Sequence, residues 1–305
     1  MRILLAGTPA MVIPLFDKIF SSDISIAGVL TNPPKSQGRS SKLIPSPVST
    51  WALEHALKIF QSGQIEECRE ILQDVDLVFV VAFGKLIPEK LLALPKRGWV
   101  NLHFSTLPEA RGAAPVQRLI VAGREEIGST LFKIDAGMDT GPVYHFNKPI
   151  RVSGLTTGEA WIRLVAEAAK DIVENLKEIA LGKSALPQNG ETSGVSVAPK
   201  VTTEEARIHW EDSSELLIRK ILAFNPTPSV WTTFRGDRFI IHRARANAIA
   251  ASGPLRTIRV TKNGVYLSAS GGEIELLEVQ PAGKKRMSAI EWANGSRCHD
   301  GEYFD

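Results

Sequence analysis

Short, wholly apolar runs alternate with helical stretches from the first residues onward, and this restricts the fold before anything else does. Ile3–Ala6 reads as a buried strand, and Gly7-Thr8-Pro9 as a tight turn. Over Val12–Phe20 the apolar residues Ile13, Leu15, Phe16, Ile19 and Phe20 recur at helical spacing. Ile24–Leu30 is a second strand, and strand–helix–strand in that order predicts a βαβ unit in a parallel sheet. Asp76–Ala82, with Val78, Phe79, Val80 and Val81, is apolar throughout, the pattern of a strand covered on both faces. Gly98–His103 and Ser129–Ile134 are further strands; Val48–Leu57, Ile65–Leu72 and Pro88–Leu94 are helical. Thr156–Leu181 reads as one long amphipathic helix stopped at Gly182. The predicted class is α/β, a Rossmann-like parallel sheet. No G-x-G-x-x-G follows the first strand, which argues against a dinucleotide cofactor.

A chain of 305 residues exceeds one typical domain. Apolar periodicity stops over Pro187–Thr203, where Gly, Ser, Thr, Pro and Asn dominate. The expected organisation is an N-terminal domain over 1–188, a linker over 189–205 and a C-terminal domain over 206–305. The last begins with a helix, Ser214–Phe224, and continues in short strands: Val230–Arg235, Phe239–Ala244, Leu255–Lys262, Val265–Ala269 and Ile274–Val279. Asn263-Gly264 between two of them is a hairpin signal. A small OB-like β-barrel is the expectation. Net charge is only +3, which by itself implies no nucleic acid. Cys68 and Cys298 have neither metal spacing nor a disulfide framework. No apolar run reaches signal-peptide or membrane length, so a cytoplasmic protein is expected, as a monomer and without a metal.

Asn101 and His103 stand at i and i+2 near the end of a strand, so both side chains leave the same face. Open α/β sheets bind ligands beyond the carboxyl ends of their strands. Asp139 lies further on, in Asp135-Ala136-Gly137-Met138-Asp139-Thr140-Gly141. Imidazole moves protons near neutral pH, a carboxylate orients it and favours its charged form, and an amide donates to a developing oxyanion. No Ser or Cys occupies a nucleophile elbow, so direct transfer between two bound substrates is favoured over a covalent enzyme intermediate. His55, His145, His209, His242 and His299 are read as structural, and Asp135 as a turn former. Asn32–Pro47, with Pro33, Pro34, Lys35, Gly38, Arg39, Lys42, Pro45 and Pro47, is a long irregular loop at the mouth of the sheet. A polyanion partner and a solvated surface are equally compatible with it.

Taken as one ordered string, Asn-x-His-x-Ser-x-Leu-Pro from Asn101, Arg-Gly-Ala-Ala-Pro-x-Gln-Arg from Arg111 and Asp-x-Gly-x-Asp-Thr-Gly from Asp135 resembles the folate-dependent formyltransferases. Glu204-Glu205-Ala206-Arg207-Ile208, Phe224-Asn225-Pro226 and Gln280-Pro281-Ala282-Gly283-Lys284-Lys285 are similar to the branch that acts on tRNA. The resemblance implies transfer of the formyl group of 10-formyltetrahydrofolate to the free amine of methionyl-initiator tRNA, for translation initiation. It implies Asn101, His103 and Asp139 as catalytic residues and Ser105, Thr106, Leu107 and Pro108 as the folate pocket. It implies tRNA contacts from Arg39, Lys42, Lys200, Lys284, Lys285 and Arg286, with Arg243 and Arg245 as further cations. The loop around Arg39 is less basic than is usual in the family, and Thr106 stands where Leu is common. A formyltransferase or hydrolase acting on a small amine or sugar nucleotide would share the central string. An RNA-binding protein without catalysis would not require Asn101, His103 and Asp139 to converge.

Overall fold

Five consecutive buried residues, Leu77–Val81, form the strand around which the first sheet is built. The structure, a computed structural model, describes residues 1–36, 42–188, 194–247 and 253–305. Arg39 and the opening residues of the expected linker lie outside the described residues. The chain divides into two compact units. The first comprises Met1–Pro115, Glu126–Arg151 and Trp161–Pro199. The second comprises Val116–Glu125, Val152–Ala160 and Lys200–Asp305.

The chain runs β1 (Arg2–Gly7), α1 (Ile13–Phe20), β2 (Ser25–Thr31), β3 (Lys35–Ser36), β4 (Leu43–Ile44), α2 (Pro47–Glu54) and β5 (Ile59–Gln61). It continues with α3 (Arg69–Asp74), β6 (Leu77–Val81), α4 (Glu89–Leu92), β7 (Trp99–His103), α5 (Pro115–Val121), β8 (Glu126–Lys133) and β9 (Val143–Arg151). Then come α6 (Thr157–Ala168) and α7 (Ile172–Leu181). The sheet order is β5-β2-β1-β6-β7-β8-β9. The first five strands are parallel, with Leu5 opposite Val29 on one side and Phe79 on the other. The order reverses between β1 and β6, and open α/β sheets bind ligands beyond the carboxyl ends of strands at such a point. Leu4, Ala6, Leu30, Val78 and Val80 pack with Leu72, Leu91 and Trp99 on one face.

Four local expectations are corrected. β8 and β9 pair antiparallel, so the sheet is mixed at that edge. β9 was not expected because it is an edge strand with two register shifts against β8, which destroy the period-two signal in Tyr144–Arg151. The expected single helix over Thr156–Leu181 is two, broken at Ala169–Asp171. Asp171 is the residue before α7, and its carboxylate pairs with His145 Nε2 at 3.0 Å instead of continuing a helix that aspartate disfavours. The Asn32–Pro47 stretch is not wholly irregular: Lys35 pairs with Ile44 and Ser36 with Leu43, and α2 starts at Pro47.

In the second unit α8 (Ser214–Ala223) is capped by Ser213, whose hydroxyl accepts from Leu216 N–H. It precedes β10 (Val230–Phe234), β11 (Asp237–Ala246), β12 (Ile258–Thr261), β13 (Gly264–Ala269), β14 (Gly272–Pro281), β15 (Met287–Ser288) and α9 (Ala289–Ser296). These strands form an antiparallel sheet in the order β10-β11-β14-β13-β12, with β15 on β14. Thr261 pairs with Gly264, so the hairpin loop is Lys262-Asn263, one residue earlier than its sequence signal. Phe234, Phe239, Trp292 and Phe304 form an aromatic core, with Phe239 and Trp292 centroids 4.6 Å apart. No helix among the described residues is long and apolar enough to cross a membrane.

Candidate active site

β7 carries Asn101 opposite Val80 on one neighbour and Phe132 on the other, and His103 opposite Thr130. Strand alternation puts both polar side chains on one side of the ribbon, at the carboxyl edge of the parallel sheet. The His103 ring is buried, 6% exposed. Its Nε2 lies 2.9 Å from the carbonyl of Ala110. A carbonyl only accepts, so Nε2 carries the proton of the neutral ring and Nδ1 presents a lone pair. That lone pair faces Oδ2 of Asp139 at 3.6 Å.

Asp139 is delivered by the turn after β8. Asp135 shapes that turn as expected, accepting from Gly137 N–H at 3.0 Å and from the Thr140 hydroxyl at 2.8 Å. The Asp139 carboxylate accepts from Gly112 N–H at 2.7 Å. Gly112 has φ +126°, and a Cβ there would stand 2.7 Å from the carbonyl oxygen of Ala198, so only glycine brings its N–H to this point unstrained. Three non-glycine residues of these loops also occupy the left-handed region: Ala82 at φ 47°, Ala110 at 57° and Asp139 at 54°. Such strain, about 1–3 kcal/mol each, concentrates where a site must be held in one arrangement.

Burial pushes the His103 ring below its ordinary pKa; the Asp139 charge and the Ala110 carbonyl pull it up but do not compensate. The carboxylate favours imidazolium, as the sequence suggested, but desolvation of a nearly enclosed ring outweighs it. A neutral ring nitrogen and a carboxylate 3.6 Å apart are two acceptors awaiting one donor. Such an arrangement can take a proton from an N–H group and stabilise the cation that results. Asn101, half-buried, has no hydrogen-bond partner for its amide among the described residues and is available to an incoming oxygen.

The Ser105–Pro108 turn is fastened to β8. Thr130 Oγ1 donates to the Ser105 carbonyl at 2.7 Å and accepts from Leu107 N–H at 3.1 Å. The Ser105 hydroxyl closes the turn on the Glu109 carbonyl at 2.5 Å. Ser105 and Leu107 are buried, Thr106 is exposed and Pro108 half-buried, so the last two form the turn's solvent-accessible surface.

Ser196 and Ala198, within the segment expected to be a linker, are hydrogen-bonded to the Ala110–Ala114 stretch of this site. Ser196 takes Arg111 N–H on its carbonyl at 2.9 Å and Ala110 N–H on its hydroxyl at 2.8 Å. Ala198 exchanges backbone hydrogen bonds with Arg111 and Ala114. Gln188 reaches the Asp139 turn through its amide. Composition cannot see such pairing, because backbone groups make most of it.

Among the tRNA candidates, Lys42, Lys200, Lys284 and Lys285 are exposed. Arg286 is paired with Glu278, Arg243 with Glu159 at 2.6 Å and Arg245 with Glu275 at 2.7 Å. Arg39 lies outside the described residues.

Residues 1–174 match the family described as Formyl transferase, and residues 200–297 match Formyl transferase, C-terminal domain. The chain is 40% identical over 305 residues to a methionyl-tRNA formyltransferase of Mycobacteroides abscessus, covering 97% of each chain. It is 37% identical over 310 residues to that of Salinispora tropica, covering 99% of each. Among solved structures it is similar to methionyl-tRNA formyltransferase from Clostridium thermocellum, with TM-score 0.61, 17% identity, and 92% of this chain and 98% of that chain covered. It is similar also to HypX from Aquifex aeolicus in complex with tetrahydrofolic acid, with TM-score 0.70, 15% identity and 99% of this chain covered. This chain spans 48% of that longer protein.

Proposed function

The chain belongs to the formyl transferase family, and from that premise we propose that it moves the formyl group of 10-formyltetrahydrofolate to the free amine of methionyl-initiator tRNA for translation initiation. It is a one-carbon transferase acting on methionyl-tRNA. The observation that supports the chemistry best is the buried His103 ring, with Nε2 engaged by Ala110 and Nδ1 turned to Asp139.

In this reading the methionyl amine attacks the formyl carbon directly. The new C–N bond forms as the carbonyl electron pair moves to oxygen, where the Asn101 amide donates to it. His103 Nδ1 takes the proton that the attacking nitrogen loses, and Asp139 stabilises the imidazolium. Collapse restores the carbonyl and breaks the bond to N10 of the folate, which receives the electron pair and then the proton from His103. Once charged, Nδ1–H is also a donor toward the oxyanion. Thr106 and Pro108 line the folate pocket, with Ser105 and Leu107 behind them. Lys42 and Arg39 meet the acceptor end of the tRNA, and Lys200, Lys284, Lys285 and Arg286 its phosphates. Catalysis is assigned to the unit that bears Asn101, His103 and Asp139, and tRNA holding to the unit that contains Lys200–Asp305. The enzyme acts as a cytoplasmic monomer, and its chemistry uses no metal.

Incubation with formyl-labelled 10-formyltetrahydrofolate and separately charged tRNAs tests this. Label is expected on methionyl-initiator tRNA. Label on an amino-sugar nucleotide with none on the tRNA overturns the reading.

A further inference from the structure

Leu186 is bound to the start of β9 by two backbone hydrogen bonds with Val143, of 2.7 and 2.8 Å. Two residues later the Gln188 side chain makes four more. Its Nε2 donates to the carbonyls of Asp139 at 2.8 Å and Gly141 at 2.9 Å. Its Oε1 accepts from Nε and Nη2 of Arg111, at 3.2 and 2.6 Å. The amide orientation is fixed by its partners, since carbonyls only accept and guanidinium only donates. Every strong donor and acceptor of this half-buried side chain therefore points at one of two segments. One is the turn that bears Asp139. The other is Arg111-Gly112, whose Gly112 N–H holds the Asp139 carboxylate.

We propose that Gln188 is a positioning residue for Asp139: it braces the backbone of that turn against Arg111-Gly112 and so sets the separation of Asp139 from His103. This rests on the reading of His103 as the proton acceptor. Without the brace, the Asp139 backbone keeps no side-chain anchor among the described residues, and its carboxylate keeps only Gly112 N–H. A displacement of about 1 Å at such a group costs on the order of a hundredfold in rate. Asp139 is the charged group that acts on the His103 ring, so its retreat also lowers the ring's pKa.

Three proteins test this: wild type, Gln188→Ala and Gln188→Glu. The glutamate keeps acceptors for Arg111 but presents oxygen, not N–H, to the carbonyls of Asp139 and Gly141. Both variants are expected to lose on the order of tenfold to a hundredfold in kcat. In both, the His103 ring, followed by ¹⁵N NMR titration, shifts to lower pH than in wild type. A lower melting temperature with unchanged kcat and an unmoved His103 titration assigns Gln188 a merely structural role and overturns the proposal. Wild-type kcat in Gln188→Glu overturns it too, because it shows that the Arg111 half of the brace suffices. A wild-type His103 whose titration leaves no trace in the pH–rate profile refutes the proton-acceptor reading instead, and the NMR shift still reports on Gln188.

Discussion

Gly112 N–H donates to Oδ2 of Asp139 at 2.7 Å, across 27 residues of sequence. The position of the Asp139 carboxylate, the proposed partner of His103, is tied to this backbone donor. Gly112→Ala places a Cβ 2.7 Å from the Ala198 carbonyl oxygen at φ +126°. The substitution is expected to cost about 1–3 kcal/mol of stability and to lower kcat, because relief of the clash withdraws the N–H from Asp139. Thermal melting and steady-state kinetics check both; a variant with wild-type kcat contradicts the stated role of this hydrogen bond.

An acid limit to activity is expected from His103 in its proposed role. The unfolded ring titrates near about 6.5, and burial lowers it in the fold. Between those values the unfolded chain holds more protons, so this contribution to stability is complete above about 6.5 and is lost as pH falls through the folded value. Protonation of the folded ring also fills Nδ1, so kcat/KM is expected to fall as pH drops through the folded value. His242 is buried and shifted downward as well, so the His103 share is read from the difference between wild type and His103→Gln. Urea midpoints between neutral and acid pH are expected to fall more steeply in wild type; parallel curves contradict a ring buried in its neutral form.

Asn101→Ala removes an amide in the middle of β7 that has no hydrogen-bond partner among the described residues, without disturbing the buried core. The expected loss is on the order of a hundredfold or more in kcat, with little change in folate affinity. Single-turnover rates and equilibrium folate binding separate the two. Equal losses in both assign Asn101 to ground-state binding instead.

Lys284 and Lys285 are exposed and have no ion pair among the described residues, whereas Arg286 is paired with Glu278. Replacing both lysines by alanine is expected to weaken tRNA binding and to flatten the dependence of log K on log salt by about one for each phosphate no longer neutralised. Arg286→Ala is expected to do less, since its guanidinium is already neutralised. Filter binding across a salt series decides; a larger effect from Arg286→Ala contradicts this ranking.

The central strands were legible because their residues are apolar on both faces: Leu77–Val81 has no competing interpretation. Asn101 and His103 were legible because a polar pair at i and i+2 closes an otherwise apolar strand. β5 and β9 were not, being edge strands, one of three residues and the other broken by register shifts. The break at Asp171 was hidden by apolar spacing that continues in phase on both sides of it. The neutral state of His103 depends on enclosure by Ala110, Phe132 and the turns around it, which no spacing encodes. Gln188 and Ser196–Ala198 were hidden inside a composition typical of linkers, although their hydrogen bonds end on the segments that hold Asp139.

The most direct test of the account is a single-turnover reaction of His103→Ala with 10-formyltetrahydrofolate and methionyl-initiator tRNA, run beside equilibrium measurements of tRNA and folate binding. Both ligands are expected to bind still, while formyl-methionyl-tRNA forms at least about a hundredfold more slowly. Formation at the wild-type rate in a variant that binds both ligands contradicts it.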